Sequence, residues 1–185
     1  MKKILLSVFV TLGITTANAQ SVFFTKNGLV SFFSSTPLEN IDAKNSAVAS
    51  KINSQTGDVE FQMLIKGFEF KKASMQQHFN DKDYMDSDNY PKSTFKGKIT
   101  DLSKVNFKKD GTYAITVEGD LTIHGVTKKV STGGTITVTG EKVNSKATFT
   151  VVLKDYNVSV PSFVSKKVAE SVEVKVDCDY QFYKG

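Results

Sequence analysis

VEVKVDCDYQF, Val172 to Phe182, alternates apolar and polar side chains without a break. Val172, Val174, Val176, Cys178, Tyr180 and Phe182 fall on one side, and Glu173, Lys175, Asp177, Asp179 and Gln181 on the other. Successive side chains of a strand point to opposite faces, so this spacing predicts a β-strand with one face in a core and the other in water. The same period returns in Tyr113, Ile115, Val117, Gly119, Leu121 and Ile123, in Ala147, Phe149, Val151 and Leu153, and in Val59, Phe61, Met63 and Ile65. Shorter strand candidates are Gly28–Ser34, Ala43–Ile52, Thr94–Leu102 and Lys128–Thr139. Turn residues punctuate them at Thr56-Gly57-Asp58, Asp110-Gly111, His124-Gly125 and Thr139-Gly140. About eight strands with one apolar face each, and no helical period between them, predict an all-β antiparallel meander closed into a barrel or folded into a sandwich.

Two stretches interrupt the rhythm. Ser74 followed by Gln77 reads as a capping box, and Met75 with Phe79 gives an i, i+4 apolar stripe, so a short helix across one end is expected. Pro161–Ala169 is a weaker candidate for a second short helix. Gly133-Gly134 lies between two apolar half-strands, where a bulge or bend is the expected use of the glycines. A phosphate loop would need a strand-to-helix setting and a following lysine.

The N-terminus, MKKILLSVFVTLGITTANAQ, has two lysines, an apolar run and then Ala17-Asn18-Ala19, which is the order of a secretory signal peptide. Residues 1–19 are expected to be removed, and residues 20–185 to form a single domain in the periplasm or outside the cell. The apolar run is too short to span a bilayer core of roughly 30 Å, and no cysteine follows it for lipid attachment, so membrane anchoring is not expected. Cys178 is the lone cysteine, and no intramolecular disulfide can form.

The charge excludes one class of partner. The chain has 24 basic and 19 acidic residues, and loss of Lys2 and Lys3 leaves 22 against 19, or +3. Every basic residue is lysine, which removes the bidentate side chain that nucleic-acid and phosphate sites favour. With no tryptophan and no basic run, nucleic acid is not an expected partner.

His78–Gly97 gathers a histidine, several aspartates and aromatics. An EF-hand reading fails in both registers, because a loop from Asp81 puts Met85 at position five and Lys92 at twelve, and one from Asp86 puts Tyr90 and Gly97 there. Zinc would have to draw on His78, His124 and Cys178, and the last sits on an apolar strand face, so no metal is expected. His78 beside Asp81, Asp83 or Asp86 is the one general-base candidate, against the plainer reading of a solvated helix end. No nucleophile elbow occurs, and no catalytic residue or enzyme activity is expected.

What remains is a container for an apolar molecule. An eight-stranded barrel is just wide enough to be filled by its own side chains or to hold one small ligand. Fourteen phenylalanines and four methionines favour the second, and Gly119 and Ala147 leave gaps in the inward sets. The residues expected to meet a ligand are Phe61, Met63, Ile65, Ile115, Val117, Leu121, Phe149, Val151, Val174 and Val176, with Phe79, Tyr84 and Met85 near a mouth.

Longer motifs point the same way. HFNDKDYMDSDNYPKSTFKGKI (78–99), GTYAITVEGDLTIHGVTKKV (111–130) and FTVVLKDYNVSVP (149–161) resemble, in order and spacing, the YceI-like family of exported bacterial proteins. TGDVEFQMLIKGFEF (56–70) and GLVSFFSSTPLENIDAKN (28–45) extend the resemblance over nearly the whole mature chain. It implies a lipocalin-like, eight-stranded antiparallel barrel with one or two short helices at an end, and an interior pocket for a polyisoprenoid or other long-chain amphiphile. It places His78, Phe79 and Asn80 on the short helix, and Tyr84, Met85, Ser87, Tyr90 and Pro91 in the connection after it. Leu121 to Lys128 become a strand and its hairpin. A carrier or scavenger of an isoprenoid, quinone-like or fatty-chain ligand, with no cofactor, is the implied function. The lack of arginine disfavours a clamped pyrophosphate head. The alternatives are an interaction module with a filled barrel, with a homodimer compatible with the sequence, and a lipid-modifying enzyme built on His78.

Overall fold

The computed structural model describes residues 21–160 and 166–183. The strands are β1 (Val22–Ser35), β2 (Asn40–Asn53), β3 (Asp58–Leu64), β4 (Glu69–Phe70), β5 (Lys92–Ile99), β6 (Gly111–Ile123), β7 (Val126–Thr139), β8 (Lys142–Val152) and β9 (Ser171–Phe182). One helix, α1 (Ala73–Asn80), is the longest among the described residues; the others are single 3-10 turns. All pairings are antiparallel, in the order β1-β9-β8-β7-β6-β5-β3-β2, and a β1–β2 ladder joins the two ends. Eight strands therefore close into a barrel, and the sandwich is excluded. The two-residue β4 lies beyond the barrel order, on β2 at Ala43 and Lys44, where β3 no longer covers that strand.

Local chemistry explains the connections. His124 and Gly125 both have positive φ, 49° and 72°, which gives the two-residue turn whose twist matches the β6 and β7 strands it joins. The β1–β2 ladder shifts register around Gly28, where a Cβ would come within 2.5 Å of Cys178 Sγ on β9, so glycine there leaves room for that buried thiol.

Several expectations need correction. Ser74 does not cap α1: the helix starts at Ala73 with Lys72 in the cap position and no side-chain cap bond. The chain leaves β4 at Phe70, so the helix begins before Ser74 can stand at its end. The β6–β7 ladder runs through Gly133-Gly134 in register, so no bulge interrupts it there, while the pairing of β7 with β8 stops at Gly134 opposite Ala147. Gly119 opens no gap: a Cβ there would meet the backbone at Lys96 and Gly97 and the Phe95 ring, which fills the space. The second helix expected over Pro161–Ala169 falls partly outside the described residues, and 166–169 is turn and irregular chain.

The interior has two storeys. At one end Phe23, Val138, Val143, Cys178 and Tyr180 form a solid floor, with Phe107 stacked on Phe23 and Phe182 edge-on to it. A chain of hydroxyls ties it together: Ser50 Oγ donates to the Glu60 carbonyl at 2.9 Å, and Tyr180 Oη lies 2.9 Å from Ser50 Oγ and 3.2 Å from Ser145 Oγ. At the other end α1, Tyr84 and Met85 after it, and Leu153 to Val160 after β8 contribute side chains that stand around open space.

Candidate functional site

That open space is a cavity of about 340 Å³. All thirteen residues singled out from the sequence line it. Phe61 and Met63 come from β3, Ile115, Val117 and Leu121 from β6, Phe149 and Val151 from β8, and Val174 and Val176 from β9. Period-two alternation puts each of these inward. Ile65 lies in the turn after β3, Phe79 comes from α1, and Tyr84 and Met85 come from the connection that follows it. Ala147 lines the cavity as well, so that position does leave room.

An aromatic cluster at the helix end was missed. Phe79 stacks on Phe32 at 5.6 Å between ring centroids, and meets Phe68 at 5.6 Å and Phe70 at 5.0 Å. Phe32 also touches Phe68 and Phe70, at 5.3 and 5.9 Å. Such edge-to-face and offset contacts hold the rings in place and give the cavity a stiff apolar roof. Phe32 shares its parity with Val30 and Ser34, so alternation could have found it. Phe68 and Phe70 lie beyond the 3-10 turn Ile65–Gly67, which breaks the period.

The wall offers little polarity. Ser93 Oγ donates to the Thr122 carbonyl at 2.8 Å, and Ser145 is engaged with Tyr180. Ser34 Oγ accepts from the Ala169 amide at 3.0 Å. Lys146 borders the cavity but its ammonium lies 2.9 Å from Asp177. Among the described residues, charged or imidazole side chains reach the lining otherwise only at Glu39, His78 and Lys167. Glu39 is held by Lys72 at 3.1 Å, and its turn is fixed by Thr36, whose hydroxyl accepts from the Glu39 amide.

Chemistry beyond binding finds few groups. His78 faces the Tyr84 ring at 6.4 Å, and among the described residues no ion pair joins it to Asp81, Asp83 or Asp86. Burial raises the Tyr84 phenol, and Asp83 and Asp81 push it further up; burial and then Asp155 do the same to Tyr156. Both stay neutral at ordinary pH. Burial drives the Cys178 thiol up to about 12, which leaves it inert as a nucleophile. Among the described residues no three His, Cys, Asp or Glu side chains come together as a metal site would require.

The YceI-like domain model matches residues 15–180. The chain belongs to the YceI-like family. Its barrel is similar to a polyisoprenoid binding domain from Saccharophagus degradans implicated in plant cell wall breakdown. The TM-score is 0.76 at 12% identity, over 89% of this chain and 99% of that one. It is also similar to Burkholderia cenocepacia BcnA, with a TM-score of 0.67 at 19% identity over 83% and 95% of the two chains. A Campylobacter jejuni YCEI protein gives 0.57 at 14% identity, each chain covered in full. At these identities the likeness is one of fold, and the YceI-like barrel with α1 across one end is what they share with this chain. A search of curated protein sequences gave no match.

Proposed function

We propose that this YceI-like protein is exported, after cleavage following Ala19, to the periplasm or beyond, where it carries or scavenges an isoprenoid or other long-chain amphiphile without altering it. One observation carries the reading: a closed barrel keeps about 340 Å³ of its interior free of side chains, behind walls that are mostly apolar and whose Ser93 and Ser145 hydroxyls are bonded to the protein. An apolar chain gains about 0.8 kcal/mol for each methylene it moves from water into such a space. The Saccharophagus degradans relative, named as a polyisoprenoid binding domain, supports the same class of cargo. A filled-barrel interaction module would need that volume occupied.

Native mass spectrometry of the protein purified from its own host, followed by organic extraction, tests the proposal. The expected result is a bound single-chain or prenyl lipid in the periplasmic or secreted fraction. A protein recovered empty that also refuses isoprenoid quinones and fatty amides would overturn it.

A further inference from the structure

A hydroxyl meets the deep end of the cavity, and what it selects deepens the carrier reading above, on which this inference rests. Ser145 lines the cavity opposite Ile136, its partner across the β7–β8 ladder, and Gly134 with Ala147 is the next inward pair above them. Neither of that upper pair carries bulk, so the way down to Ser145 is left open. Below, the floor is packed: Val143 and Tyr180 are buried.

Counting protons fixes the direction of each hydrogen bond in the floor. The Glu60 carbonyl can only accept, so the Ser50 hydroxyl commits its one proton there, at 2.9 Å. Tyr180 Oη lies 2.9 Å from Ser50 Oγ, and with the Ser50 proton committed the phenol is the donor. Burial pushes this phenol above its ordinary value, so it keeps the proton it offers. Ser145 Oγ, 3.2 Å from Tyr180 Oη, is then the donor in its turn. The relay runs from Ser145 to Tyr180 to Ser50 to the Glu60 carbonyl, and it leaves Ser145 Oγ as an acceptor toward the cavity. Bonds in such a chain polarise one another, which strengthens that acceptor. We infer that the deep end of the barrel is a subsite for a hydrogen-bond donor: the polar end of the cargo, a primary alcohol or primary amide, goes in first and donates to Ser145 Oγ, while its chain extends toward α1. A quinone, ketone, ether or ester brings only lone pairs to this oxygen. A carboxylate finds no cation there, because the neighbouring Lys146 ammonium lies 2.9 Å from Asp177, and an unpaired buried charge is costly. The packed floor leaves no space for a sugar or a phosphocholine.

Displacement of N-phenyl-1-naphthylamine by 1-dodecanol and by its isomer methyl undecyl ether tests the subsite. Water holds the alcohol more strongly than the ether, so a purely apolar chamber would favour the ether. The expected result is the reverse, with dodecanol bound about fivefold more tightly. Dodecyl maltoside below its micelle concentration should not displace the probe. In Ser50→Ala the phenol of Tyr180 loses its acceptor and turns its proton to Ser145, whose own proton is freed to face the cavity. The preference for dodecanol should then vanish or invert. Tyr180→Phe frees the same proton and should act alike, so either variant serves if the other fails to fold. An ether bound as tightly as dodecanol by the unaltered protein, a preference unchanged in these variants, or displacement by the maltoside would overturn the donor subsite and leave the carrier intact. Failure of the folded protein to take the probe or any of the chains would overturn both.

Discussion

Cys178 shows how one residue's burial decides its chemistry. Its side chain is fully buried beneath Gly28, and the thiol is held up near 12, so iodoacetamide at pH 8 is expected to label it in denaturant and not in the native protein. Mass spectrometry reads the difference directly, and labelling of the native protein would show that the floor opens. Asp177 on the outer face makes the opposite case. Partial burial works against its charge, but hydrogen bonds from Asn144 at 2.8 Å and Lys146 at 2.9 Å outweigh it and bring the carboxyl below its ordinary value. A lowered carboxyl contributes stability above its unfolded pKa of about 3.9, and loses it as pH falls through the native value. Lys146, raised chiefly by its hydrogen bond to Asp177, contributes below about 10.4 and loses that contribution as pH rises through its native value. Both side chains are well exposed, so Asp177→Asn should cost less than about 1 kcal/mol at pH 7. The thermal melts of variant and wild type should converge at pH 2, where the carboxyl is protonated in both.

Elements in this chain are legible to the extent that period two survives. The sequence pattern marks all eight barrel strands, because each has a wet face and a dry face. It does not mark β4, whose two residues are too few to show a period, or the true start of α1, which the position of β4 dictates and the Ser74 hydroxyl does not. The hairpins are legible because few residues tolerate their backbone. Gly125 and Gly140 both have positive φ, but a Cβ on Gly125 would come within 2.6 Å of the Tyr90 ring, and one on Gly140 would meet nothing within 4 Å. Gly140→Ala should therefore cost about 1 kcal/mol from backbone strain alone. Gly125→Ala should cost more, since Tyr90 must leave its contact with His124 at 4.4 Å between ring centroids. Urea denaturation of the two variants side by side measures that difference, and equal costs would mean that the Tyr90 ring gives way freely.

Over the whole molecule, alternation says which way a side chain points and nothing about which strand lies beside it. Closure through β1 and β2, consecutive in sequence yet at opposite ends of the strand order, became visible only in three dimensions. For the same reason inward residues such as Ile115 and Val143 look alike in the sequence, although one borders the cavity and the other lies in the solid floor. This division predicts two kinds of variant. Phe23→Ala hollows a floor in which the ring is 5% exposed, stacked on Phe107 and edge-on to Phe182, so it should cost about 3–5 kcal/mol and leave the affinity for an apolar probe nearly unchanged. Phe149→Ala removes a half-buried ring that already borders open space, so fewer contacts are lost, and it should cost less stability than Phe23→Ala while changing probe affinity several-fold. A bound ligand stabilises by RT ln(1 + [L]/Kd), about 2.7 kcal/mol at a hundredfold excess over Kd. At a fixed ligand concentration the rise in Tm should therefore persist in Phe23→Ala and change in Phe149→Ala, and the reverse pattern would place the binding chamber at the wrong end of the barrel.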